Sequence, residues 1–240
     1  MNTPFSYTLI KSFTLTLYLI LAALPLVAQS TVGTNVHVDI WNSETPIVQS
    51  SNEDVRGTQW YRDEWTLGRV ILRDNSITEI HNINYNTYED KIIFRDGDVM
   101  KAYDPTQVRG FQYVDRSGNK TQEFITGISD RQHGIDPYDL LQVIYNGDTK
   151  FLARHETIFV RNRGRDIITN KRYSEYDETV TYFLMKDEKL NKTRLRKRNI
   201  LNDIGDQKDA LSDFVKSSDL RLRSEEEVAA LLNYYDQIKQ

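Results

Sequence analysis

The 240-residue sequence contains no cysteine. That absence excludes disulfide staples, thiolate metal sites, a cysteine nucleophile and lipid attachment through an N-terminal cysteine. Histidine is nearly as scarce, with only His37, His81, His133 and His155, too scattered to suggest a metal cluster. A Gly-x-Ser-x-Gly nucleophile elbow, a Gly-rich phosphate loop ending in Lys-Ser/Thr and a His-Glu-x-x-His zinc helix are all missing. His155-Glu156 comes nearest to the last, but Phe159 stands where the second histidine would be. The run Phe151 to Val160 has strand character, so His155 is expected half-exposed beside a solvated Glu156. What remains, 39% hydrophobic, 28% charged and 11% aromatic, is globular composition. It excludes a disordered chain, a collagen-like repeat and a polytopic membrane protein.

A long apolar run occurs only near the start. Residues 1–28 hold one basic side chain, Lys11, and no acidic one; Phe13 to Leu24 is apolar and is followed by Pro25 and Ala28. This pattern predicts a secretory signal at 1–28, cleaved after Ala28. An uncleaved anchor is the weaker reading, because Thr14, Thr16 and Pro25 interrupt a run already short of the about 20 residues that a span needs. No transmembrane segment is expected after cleavage. The expected location is the periplasm or the outer envelope.

The body, residues 29–198, patterns as an antiparallel β-rich domain, a meander, barrel or sandwich. Val36 to Ile40 alternates with period two, and a polar stretch from Asn42 to Arg56 resembles a linker or long loop. Hairpins follow. Asp74-Asn75-Ser76, Asp96-Gly97, Ser117-Gly118-Asn119, Asn146-Gly147 and Lys186-Asp187-Glu188 each sit between β-branched or aromatic runs. Asp96-Gly97 predicts a type I′ turn. Asp96-Gly97-Asp98 and Asn146-Gly147-Asp148 are too short for calcium loops, which need six to eight oxygens.

Residues 199–240 change to helical period and are expected to pack on the β domain. Gly205 ends a first short helix. Asp206 is expected to cap a second, burying Ala210, Leu211, Phe214 and Val215. Ser224-Glu225-Glu226-Glu227 forms a capping box ahead of the stripe Val228, Leu231, Leu232, Tyr235 and Ile238.

Tyr85 to Phe94, the Asp96-Gly97 turn, Val108-Arg109-Gly110-Phe111 and the acidic helical ending with Tyr234-Tyr235 resemble a loose group of exported bacterial proteins. These combine a signal peptide, a β-rich body and a helical tail, and have no assigned function. The resemblance implies an envelope location and supplies no catalytic residues.

Charge is distributed unevenly. Basic and acidic residues number eleven and nineteen over 29–149, fourteen and seven over 150–200, and five and nine over 201–240. Two clusters dominate the basic middle: Arg161, Arg163 and Arg165 around Gly164, and Lys192, Arg194, Arg196, Lys197 and Arg198. They are candidate anion- or partner-binding residues, able to bind polyanions by counterion release or anionic headgroups within a Debye length. The competing reading is intramolecular charge balance. Nucleic acid is not an expected partner for an exported chain of pI about 5.6 without a binding motif.

These features predict a non-catalytic envelope protein that binds or scaffolds another protein or an anionic envelope component, without a cofactor or metal. The alternative is a carboxylate-dependent polysaccharide hydrolase near Trp60 and Trp65. There Asp63 and Glu64 lie between aromatic rings able to stack on sugars.

Overall fold

Alternation of half-buried and buried side chains along Thr66–Leu72 places Gly68, Val70 and Leu72 on the inner face of a strand. Similar segments build one large sheet. The computed structural model describes residues 38–40 and 53–239, all within one compact unit, Asn35–Gln240. The expected signal at 1–28 and residues 42–52 of the polar stretch lie outside the described residues.

The strands are β1 (Val38–Ile40), β2 (Glu53–Arg56), β3 (Thr66–Leu72), β4 (His81–Asn86), β5 (Lys91–Asp96) and β6 (Val99–Tyr103). After them come β7 (Val108–Val114), β8 (Lys120–Ile125), β9 (Leu141–Asn146), β10 (Lys150–Arg165), β11 (Arg172–Lys186) and β12 (Lys189–Thr193). They lie in the order β1-β6-β5-β4-β3-β7-β8-β9-β10-β11-β12. Consecutive strands pair within β3–β6 and within β7–β12, and the meander is broken where β1 pairs with β6 and where β3 pairs with β7. β2 pairs in parallel with the far end of β11, from Glu53↔Arg172 to Arg56↔Glu175. The expectation of a loop through Arg56 is corrected there: the end of the polar stretch is a short strand, because a free edge of β11 offers it a ladder.

The sheet folds back on itself. Thr157 N on β10 donates to Thr87 O at the β4–β5 turn (3.1 Å), and their hydroxyls lie 2.7 Å apart. Inside this fold, Tyr85, Phe111, Tyr113 and Phe124 are fully buried, with Phe111 stacked on Phe124 at 4.5 Å. Large rings carry most burial energy per residue, so this cluster anchors the body.

Three helices close the chain: α1 (Lys197–Ile204), α2 (Lys208–Ser217) and α3 (Glu225–Ile238). α3 opens on the predicted box, with Ser224 Oγ accepting from Glu227 N and Glu227 Oε2 accepting from Ser224 N. Val228, Leu231, Leu232 and Tyr235 are buried in a cluster that also holds Phe151 of β10 and Leu184 of β11, while Ile238 is half-buried. Helices this short would be marginal alone; here their apolar stripes are covered by the sheet. Asp206 does not cap α2. The N-cap is Gln207 in a left-handed conformation, and Asp206 pairs instead with Lys186 Nζ at 3.1 Å.

One hairpin turn differs from expectation. At β5–β6 the closing pair is Asp96↔Val99, and positive φ occurs at Gly97 but not Asp98. That is the type II′ pattern rather than I′. Positive φ at both central positions occurs instead between β11 and β12, at Asp187 (49°) and Glu188 (60°).

Candidate functional site

β10 and β11 are far longer than their neighbours. β9 pairs with β10 only over Lys150–Arg154, and β12 pairs with β11 only over Tyr182–Lys186. The two strands continue together to Arg165↔Arg172. At about 3.4 Å per residue, the nine steps from Thr181 to Arg172 carry the hairpin about 30 Å past its last contact with these flanking strands. Between Val160 and Gly164 the register slips, with Asn162 in a left-handed conformation (φ 50°) and its N–H donating to Ser174 Oγ (3.1 Å). Such a bulge re-aims side chains. At Gly164 a Cβ would meet the Tyr173 ring at 3.0–3.1 Å, so that ring would have to give by a few tenths of an ångström.

The tip is a tightly bonded turn. Asp166 N donates to Lys171 O (2.9 Å) and Asn170 N to Asp166 O (2.9 Å). Asp166 Oδ1 accepts from Ile168 N (3.0 Å), Thr169 N (2.8 Å) and Thr169 Oγ1 (3.1 Å). Those Thr169 bonds, with the Arg56 guanidinium on Asp166 Oδ2, hold the carboxyl pKa at about 2, so it is ionised wherever the protein functions. The turn holds Ile167 and Ile168 in solvent, 99% and 93% exposed; the next most exposed large apolar side chain described, Ile158, is at 59%.

Five cations surround this tip: Arg161, Arg163, Arg165, Lys171 and Arg172, all exposed. Arg163 is partly neutralised by Glu175 (3.5 Å) and Asp177 (3.2 Å) on β11, and Arg165 Nη1 reaches the Asn170 carbonyl and amide oxygens at 3.4 and 3.3 Å. Among the described residues Arg161, Lys171 and Arg172 pair with no carboxylate. Sequence reasoning found the three arginines and missed Lys171, Arg172 and the isoleucines, because the turn at 166–170 carries neither Gly nor Pro.

The second basic cluster is elsewhere. Lys192 ends on β12 opposite Phe183, while Arg196, Lys197 and Arg198 stand at the N-cap and first turn of α1, with Arg194 between them and β12. Thr193, next to Arg194, pairs with Tyr182, and Val160, next to Arg161, pairs with Glu175, so about 24 Å of β11 lies between the two clusters and they do not form one stripe. Arg196 makes no side-chain cap bond, and the first turn of α1 has no acidic residue.

Trp60 and Trp65 are half-buried and tilted together at 5.5 Å, with Arg95 over the Trp65 ring at 4.4 Å. Asp63 and Glu64 beside them are exposed. The carboxyl that burial pushes up, to about 6, is Asp90. It accepts from Tyr85 Oη at 2.5 Å and lines a small, shallow recess with Ile92, Tyr103, Val108, Tyr138 and Leu140. Its hydrogen-bond partner is the Tyr85 phenol, and the neighbouring carboxylate of Asp139, itself paired with Arg154 Nη2 at 3.1 Å, adds like-charge repulsion.

His155 is a correction. It is 7% exposed, with Nε2 2.7 Å from Gln142 Oε1 and its ring edge-on to Tyr61 at 4.8 Å. Burial lowers its pKa, so it is a neutral core residue rather than a half-exposed one. No group of potential metal ligands occurs among the described residues, and no described helix is long and apolar enough to cross a membrane.

No protein-family model matches this chain, and no curated protein or solved structure is detectably similar to it.

Proposed function

We propose that this protein is a non-catalytic binding module, exported to the cell envelope, which engages an anionic envelope surface through the β10–β11 hairpin. The observation that carries the reading is the concentration of five cations at the far end of the β10–β11 hairpin in an otherwise acidic chain. Over 161–172 the only acidic residue is Asp166, and the turn amides and Arg56 already occupy it. Intramolecular balance accounts for Arg163 alone. Near an anionic surface each such cation contributes about 1 kcal/mol, falling off within a Debye length. The N-terminal segment 1–28, read as an export signal, supports the envelope location.

The test is salt-dependent binding of the full chain to phosphatidylglycerol vesicles and to polyphosphate. Binding should weaken steeply with salt, and Arg161→Glu with Lys171→Glu should abolish it. Unchanged binding in that variant, or binding indifferent to salt, would overturn the reading. Localisation is checked separately, by fractionating cells and sequencing the N-terminus of the exported protein: a start at Gln29 supports cleavage after Ala28.

A further inference from the structure

We infer that the anionic surface is a phospholipid bilayer, and that Ile167 and Ile168 insert into it while the surrounding cations lie at headgroup level. This rests on the binding-module reading and goes further, because charge alone does not require the isoleucines. An extended binding site for a polymer would need cations spaced along a groove. Here Arg165, Lys171 and Arg172 flank a single turn, and the turn is apolar.

Three observations lead to this occupant. First, the isoleucines are held out in water by a turn whose Ile168, Thr169 and Asn170 amides are all bonded to Asp166. Asp166 Oδ1 takes the Ile168 and Thr169 amides, and Asn170, at φ 55°, donates its N–H to Asp166 O. Loose loops hide such side chains by collapse, whereas this one is braced by Arg56 from β2, which also stacks on Tyr173 at 3.9 Å. Second, backbone polar groups entering a bilayer interface need partners, and the bonds of this turn supply several of them internally. Third, Arg165, Lys171 and Arg172 stand next to the turn on both strands, and their long stems allow the charged ends to stay at the interface while the isoleucines go deeper. An apolar tip flanked by cations is the charge complement of an anionic leaflet.

Absence of cysteine makes the experiment clean. A nitrobenzoxadiazole probe on Ile168→Cys, in the otherwise unsubstituted full chain, reports the polarity at the tip; the same probe on Ser117→Cys, at the exposed β7–β8 turn, is the control. Vesicles contain about one-third phosphatidylglycerol in phosphatidylcholine. The tip probe should brighten, shift to the blue and be quenched by a bilayer-embedded quencher, while the Ser117 probe should not respond. Ile167→Ser/Ile168→Ser should weaken vesicle binding by about tenfold or more and leave polyphosphate binding unchanged. Any contribution from the apolar run Phe13 to Leu24 is common to all these chains.

If vesicles bind with salt sensitivity but the tip probe stays in water and the double serine variant binds normally, insertion is wrong and the charge reading stands. If neither vesicles nor polyphosphate bind, both fall. If vesicles fail while an acidic protein is retained in a manner lost with Ile167→Ser/Ile168→Ser, the occupant is that protein and the bilayer assignment is overturned.

Discussion

Arg56 Nη2 donates to Asp166 Oδ2 at 2.5 Å, joining β2 to the hairpin tip across 110 residues of sequence. The other oxygen of the same carboxyl organises the turn from within. Asp166→Ala should therefore loosen the tip while leaving the body intact. Amide hydrogen exchange at Ile168 and Thr169 should accelerate strongly, with the amides of β7 and β8 unchanged. Asp166→Asn, which keeps an acceptor, should have a smaller effect. The sign with pH follows from a carboxyl held at about 2: its contribution is present above the unfolded value of 3.8 and is lost as pH falls through about 2. Protection of the turn should persist well into acid, and its loss near pH 4 would show that Asp166 does not organise the tip.

Asp90 has the opposite linkage. Its folded pKa, pushed up by burial to about 6, lies above the unfolded 3.8. The fold therefore binds the proton more tightly, and that contribution is fully present below about 3.8 and lost as pH rises through about 6. Asp90→Asn removes the charge and keeps an oxygen for Tyr85 Oη. It should stabilise the protein at pH 8 by about 1–3 kcal/mol, after allowing for partial solvation, and give no gain at pH 3.5. Urea melts of both proteins at the two pH values check this. Equal stability at pH 8 would mean that Asp90 ionises without penalty.

The strands of this fold were legible wherever apolar and polar residues alternate against one wet face, as in β3, and the third helix wherever a cap precedes a 3-4-3 stripe, as at Ser224. The hairpin tip was not. Ile167 and Ile168 resemble core residues in composition, and only the pairing Arg165↔Arg172 shows that they sit on a turn outside any core. His155 failed for a related reason. Strand alternation gives its face but not what covers that face, and Tyr61, from the irregular stretch before β3, closes over it. Asn146-Gly147 was read as a turn on backbone grounds. Gly147 has no positive φ, and a Cβ there would collide with Asp236 of α3 and the Tyr145 hydroxyl. Local sequence gave the turn, and a helix ninety residues later gave the reason for glycine.

Asp187 and Glu188 occupy both left-handed positions of the β11–β12 turn, and both are exposed. A side chain in that conformation costs about 1 kcal/mol or more, which glycine avoids. Glu188→Gly should raise stability by about 0.5–1 kcal/mol in thermal or urea unfolding, because relief of folded-state strain outweighs the added freedom of the unfolded chain. A loss of stability would mean that Glu188 makes a compensating contact in the folded protein.

Arg198 lies in the first turn of α1, where unpaired amide groups already carry partial positive charge, and the flanking Arg196 and Lys197 add to it. This arrangement costs stability unless an anion sits there, which makes it a test of the second basic cluster independent of the hairpin. Arg198→Glu should stabilise the isolated protein by about 0.3–1 kcal/mol at low salt, with the gain shrinking as salt screens the helix charge. If the cluster belongs to the anionic contact, the same substitution should weaken vesicle binding. If it serves only the fold, vesicle binding should be unchanged. Because Arg198 and Lys171 stand on different elements with a stretch of β11 between their clusters, the effect of Arg198→Glu should add to that of Lys171→Glu, and strong non-additivity would show that the two clusters act on the surface as one.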